Sequence, residues 1–156
     1  MIQRIQSVFL LLLALCLLVL LVLPIWKEND PKTGQAVELT AFHLTETAPA
    51  AGTSSNTILI GILALVSAGV AFYEIFQFKN RLKQMKLGML NTLLIAALLG
   101  AVVYYSLFVG EDINPAVEGD KEAGFYLPLA ALVLNSLANR FINRDEKLVR
   151  SVDRLR

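Results

Sequence analysis

Lys79-Asn80-Arg81-Leu82-Lys83-Gln84-Met85-Lys86 is a short basic stretch between two long apolar runs, Thr57 to Phe78 and Gly88 to Val109. Each run is close to the ~20 residues a helix needs to cross a bilayer. Four cations without an acid are retained on the cytoplasmic side of a membrane. Placing this loop inside sets the direction of every other segment.

Two more apolar blocks lie outward from it. The first covers residues 5–26 and the last 124–142, so the chain carries four such blocks. Hydrophobic residues make up 56% of the sequence and charged ones 17%. That exceeds the roughly 45–50% apolar content of a soluble domain. The spacing predicts an all-α membrane protein: one domain, residues 1–156, forming a four-helix transmembrane bundle with helices at about 5–26, 57–78, 88–109 and 124–142. No Ala-x-Ala cleavage pattern follows Trp26, so the first block is expected to remain as a helix. Trp26 suits the outer interface.

The connections follow from this. With 79–87 as the inner loop, 27–56 and 110–123 face outward and both termini face the cytoplasm. Of the 14 Lys and Arg, only Lys27, Lys32 and Lys121 then lie outside, which satisfies the positive-inside rule. In a bacterium this is the inner membrane. Asn29 to Gly34 is a turn signal. Val37, Leu39 and Ala41 alternate with Glu38, Thr40 and Phe42, the pattern of a half-buried strand. A small extracytoplasmic β-hairpin is predicted, with Trp26 to Glu28 as the partner strand and Thr45 to Asn56 as loop. In the apolar runs, Ala64/Ala68, Ala96/Gly100 and Ala97/Ala101 are small pairs four apart, which let helices approach. The second and third helices should form the closest pair.

Few residues suggest chemistry. His43 is the sole histidine and Cys16 the sole cysteine, and they lie in different regions. Neither a metal cluster nor a nucleophilic triad is expected, nor is a phosphate loop or nucleic-acid partner. Glu74 is the one acid inside an apolar run, and an ionisable residue there is a functional candidate by default. Gln77, Asn91 and Asn135 should lie near it, forming an intramembrane polar cluster at the inner leaflet.

The tail shows helical spacing, with Leu134, Leu137, Ala138, Phe141, Ile142, Leu148, Val149, Val152 and Leu155 on one side. An amphipathic cytoplasmic helix over 143–156 is predicted. Its apolar stripe must be covered by headgroups, by the protein's own loop or by a partner. Arg140, Arg144, Asp145, Glu146, Arg150, Asp153 and Arg154 are the candidate docking residues.

Both ends carry a likeness. Met1-Ile2-Gln3-Arg4-Ile5-Gln6-Ser7 and the string from Ala138-Asn139-Arg140 through Asp145-Glu146-Lys147-Leu148-Val149-Arg150-Ser151 to Asp153-Arg154-Leu155-Arg156 resemble the domain-of-unknown-function family 4293. The resemblance implies a small four-span inner-membrane protein of Bacteroidota, with no assigned activity. The layout of four spans with a strand-bearing first outer loop is also similar to claudin-type tetraspan proteins, though the cysteine pair of that loop is absent.

These features predict a non-enzymatic adaptor or assembly subunit, without a cofactor, that docks a protein partner or anionic lipid through its tail. Membrane lipids are partners in any case, and self-association into a homo-oligomer is open. The alternatives are a small transporter or channel using the polar cluster, and a lipid- or quinone-handling protein.

Overall fold

The computed structural model describes residues 3–29, 34, 36–47, 54–78, 80–109 and 119–153. Among the described residues it is mostly helical, with four helices: α1 (Gln3–Leu20), α2 (Ile58–Phe76), α3 (Arg81–Tyr104) and α4 (Ala123–Asp153). They close into a ring in which α1 packs on α2 and α4, and α3 on α2 and α4. The contact between α1 and α4 is the most extensive, so the expected primacy of the α2–α3 pair does not hold.

Each helix buries one seam in alternating steps of four and three residues. In α1 it is Gln6, Leu10, Leu13, Leu17 and Leu20; in α2 it is Ile60, Ala64, Ser67, Ala71 and Glu74. In α3 it is Gln84, Gly88, Asn91, Ile95, Leu98 and Val102. In α4 it is Gly124, Pro128, Ala131, Asn135, Ala138 and Ile142. A repeat of 3.5 residues is the knobs-into-holes spacing of left-handed helix packing. The opposite faces are apolar and exposed, including Leu12, Leu65, Leu93 and Val133. Water does not tolerate an apolar exterior of that extent. Among the described residues, three helical stretches, Ile58–Phe76, Arg81–Phe108 and Ala123–Val149, are long and apolar enough to cross a membrane.

Several boundaries differ from the sequence expectation. The first helix ends at Leu20, not near 26, because Pro24 has no N–H to offer a helix and restricts Leu23. Its apolar part, Ile5–Leu20, is shorter than the other three stretches. The loop expected over 79–87 gives way to a short connection between Phe76 and Arg81. Asn80 caps α3 by accepting from the Lys83 N–H at 3.2 Å, so Arg81, Lys83 and Lys86 occupy helix, not loop. Beyond Tyr104, α3 widens into a π-helical turn, Tyr105–Val109, where the buried Ser106 hydroxyl donates to Val102 O at 2.7 Å. The fourth helix runs unbroken for 31 residues and takes in the expected tail helix as far as Asp153; the rest of that helix lies outside the described residues.

The predicted hairpin is part of a larger sheet. Strands β1 (Trp26–Asn29), β2 (Ala36–Leu39), β3 (His43–Thr47), β4 (Ser54–Asn56) and β5 (Asp120–Lys121) are antiparallel in the order β4-β3-β2-β1-β5. The stretch expected as loop over Thr45 to Asn56 thus supplies strand at both ends. The other connection supplies β5, and Trp26 pairs with Leu39 on one side and Lys121 on the other. Trp26 is buried. A Cβ on Gly119 would run into its indole.

The sheet is fastened to the helix ends by backbone bonds. Ile25 N–H donates to Leu39 O at 2.8 Å, Gly61 N–H to Ala41 O at 2.9 Å and Gly124 N–H to Pro24 O at 3.1 Å. Val37, Leu39 and Leu44 join the helix core. One end of the ring is therefore plugged by sheet, and the other is closed by the α2–α3 turn.

Candidate functional site

The polar seam positions gather between the middle of the ring and the turn end. Glu74, Asn91 and Asn135, three of the four residues assigned to a polar cluster, are fully buried. Gln77 is half-buried and closes the turn, its backbone N–H donating to Glu74 O at 3.1 Å.

Side chains from three helices link the cluster. The Ser67 hydroxyl on α2 donates to Asn91 Oδ1 on α3. Asn135 Nδ2 on α4 donates to Gly88 O at 3.1 Å and to Thr92 Oγ1 at 2.8 Å on α3. Gln84 Nε2 donates to Glu74 O at 3.4 Å. Gln6 of α1 is also buried.

Gln84, Ser67, Thr92 and Gln6 join the cluster in addition to the residues expected from the sequence. Ser67 and Glu74 stand seven apart, as do Gln84 and Asn91. With α3 beginning at Arg81, that heptad spacing is the sequence signal for Ser67 and Gln84.

The region is short of donors. Both Glu74 carboxylate oxygens, Gln84 Oε1, Gln6 Oε1 and Asn135 Oδ1 are buried acceptors without a hydrogen-bond partner among the described residues. Asn91 Nδ2 is a buried donor without a partner among the described residues. Burying polar atoms unpaired is costly, and an acceptor surplus favours a mobile donor or a cation. The described residues contain no group of three or more His, Cys, Asp or Glu placed to hold a metal.

The tail candidates separate by face. Asp145 Oδ2 lies 3.5 Å from Arg81 Nη1, so Asp145 is engaged within the chain. Arg140 and Arg144 are exposed, and Glu146 is half-buried. The backbone of Arg150 and Asp153 belongs to α4. Their side chains, and Arg154 and Lys79 entirely, lie outside the described residues. Leu148 and Val149 are 49% and 41% exposed, so this part of the stripe stays uncovered. Asp145–Arg81 is the point where the chain's own turn meets the tail.

Four ringed helices, an apolar exterior and a polar seam at one end define a helical protein of the membrane type. The chain belongs to the family described as Domain of unknown function (DUF4293), whose profile matches residues 2–155. No curated protein matches it.

Proposed function

We propose that this is a four-span membrane domain with the α2–α3 turn and both termini in the cytoplasm, acting without catalysis as an adaptor or assembly subunit. The observation that supports this is the unbroken course of α4. Thirty-one residues at ~1.5 Å each give about 46 Å, against a hydrocarbon core of about 30 Å. The last turns must leave the lipid. They carry Leu148 and Val149 beside Arg144 and Lys147, all exposed, which is the composition of a docking surface for a protein partner or a lipid face.

The distribution of Lys and Arg supports the orientation, and the length of Ala123–Val149 supports the span. α1 is the shortest span, and with 18 residues at ~1.5 Å each it covers about 27 Å, close to a thin bilayer. The inner membrane of a bacterium is the setting consistent with these features.

Affinity capture from native membranes tests the adaptor. Full-length protein and a form ending after Asn143 are compared. Partners retained by the first and lost by the second support it, and identical sets overturn it. Reporter fusions at Leu82 and after Asp153 test the orientation and should report the same face.

The acceptor-rich cluster favours a second reading, a small proton- or cation-linked transporter centred on Glu74, Asn91 and Asn135. Flux into proteoliposomes, compared between the native chain and Glu74→Gln, separates the two readings. Absence of flux under every gradient leaves the adaptor.

A further inference from the structure

Two grooves meet on the outward side of the α3–α4 seam at the turn end. One, of about 710 Å³, is walled on α3 by Leu82, Met85, Met89 and Leu93, with Lys86 beside them. The other, of about 660 Å³, follows α4 past Arg140, Arg144 and Lys147. They share Asn139 and Asn143, so an extended molecule can lie in both. Asn139 also forms the floor, its amide packed on Gly88 where α3 and α4 approach.

The two halves differ in chemistry. Among the described residues, no Asp or Glu lines either groove. Arg140, Arg144 and Lys147 have no acid partner among the described residues, whereas Arg81 is occupied by Asp145. Leu82, Met89 and Leu93 are 56%, 73% and 67% exposed. Methionine is flexible enough to conform to an irregular apolar chain.

The levels of the two halves also match. The Arg81–Asp145 pair marks one height on both helices. Five residues further into the ring, about 7–8 Å, stand Lys86 on α3 and Arg140 on α4. Met89 and Leu93 follow, deeper by one and two turns. In the orientation proposed above, on which this inference rests, the cations lie at the inner headgroups and the apolar groove enters the hydrocarbon. Basic pockets between helices at that height hold anionic headgroups.

We propose that the joined grooves bind one anionic phospholipid. Arg140, Arg144, Lys147 and Lys86 hold its phosphate, Asn139 and Asn143 donate to its glycerol oxygens, and an acyl chain lies along Met85, Met89 and Leu93. A basic helix on a charged surface would need only the cations. The apolar groove at the same place makes it a site for one molecule.

The test is native mass spectrometry of the full chain in mild detergent, titrated with phosphatidylglycerol or phosphatidylcholine. Phosphatidylglycerol should be retained at about tenfold lower concentration than phosphatidylcholine, and changing Arg140, Arg144 and Lys147 together to Gln should remove that preference. Changing the three to Lys, Lys and Arg should keep it, which separates charge from folding. Met89→Trp leaves every cation in place and fills the groove, and it should lower retention about fivefold or more. Glycerol phosphate, which has the headgroup and no chain, should not bind.

Equal retention of both lipids, or a Met89→Trp form that binds as the native chain does, overturns the site. Binding of glycerol phosphate at the same concentration as the lipid also overturns it, in favour of a simple anion site. If the reporters at Leu82 and after Asp153 report opposite faces, the orientation fails, and that result is independent of the lipid titration.

Discussion

Asp145 of α4 lies 3.5 Å from Arg81 of α3, tying the first turn after the basic bend to the part of α4 that extends past the apolar ring. Both side chains are largely buried, at 13% and 24% exposed. Removing the acid leaves a guanidinium poorly solvated and without its counter-charge. Asp145→Ala should lower stability by about 1–3 kcal/mol, between the values for exposed and buried pairs. Thermal unfolding in detergent measures it, and Arg81→Asp with Asp145→Arg should recover part of the loss.

Glu74 gives the opposite expectation. Its two oxygens are buried without a hydrogen-bond partner among the described residues, so the charge there contributes no pairing to lose. Glu74→Gln should leave the melting temperature unchanged or raise it. Glu74→Leu should also be tolerated, because exchanging an unsatisfied polar group for an apolar one of similar volume is often neutral. A marked fall with Gln would show that the carboxylate has a strong partner.

Gly88 is required by the packing of Asn139. A methyl group at Gly88 would occupy the place of the Asn139 amide, and forcing atoms into a filled seam costs about 1–3 kcal/mol. Gly88→Ala should destabilise by that amount. Combined with Asn139→Ala it should cost less than the sum of the two changes, a coupling that a double-mutant cycle reads directly.

Gly61 makes the corresponding contact at the other end. Its N–H donates to Ala41 O at 2.9 Å, and a Cβ would strike the Phe42 ring. Gly61→Val should loosen the sheet from α2 while leaving the ring's helical content intact. Faster proteolysis within residues 27–56, with unchanged far-ultraviolet dichroism, is the expected signature. Gly61→Val with Phe42→Ala should restore resistance.

The tail shows how the sequence could be right about periodicity and still miss the geometry. Apolar spacing from Leu134 to Val149 indicates a helix, and α4 contains it. That the helix continues unbroken from Ala123 to Asp153 accords with the absence of any Gly or Pro after Pro128 and with Asp145 finding Arg81. The second of these is a pairing across 64 positions of sequence, which local pattern does not contain. The same holds for β5. Asp120-Lys121 has no alternation and no β-branched residue, and it becomes a strand because β1 presents a free edge.

Amino-acid order alone determined that this chain is built from four apolar blocks, that a basic stretch joins the middle two, and that a strand pattern follows the first. Those properties are local: oily length, charge placement and alternation act within a few turns of backbone. Which residues of an oily block face inward was decided only by tertiary structure. In a block apolar on every side, hydrophobic periodicity carries no direction. The seam is chosen instead by where small and polar side chains of four helices fit together, as Gly88 with Asn139 and Ser67 with Asn91 show.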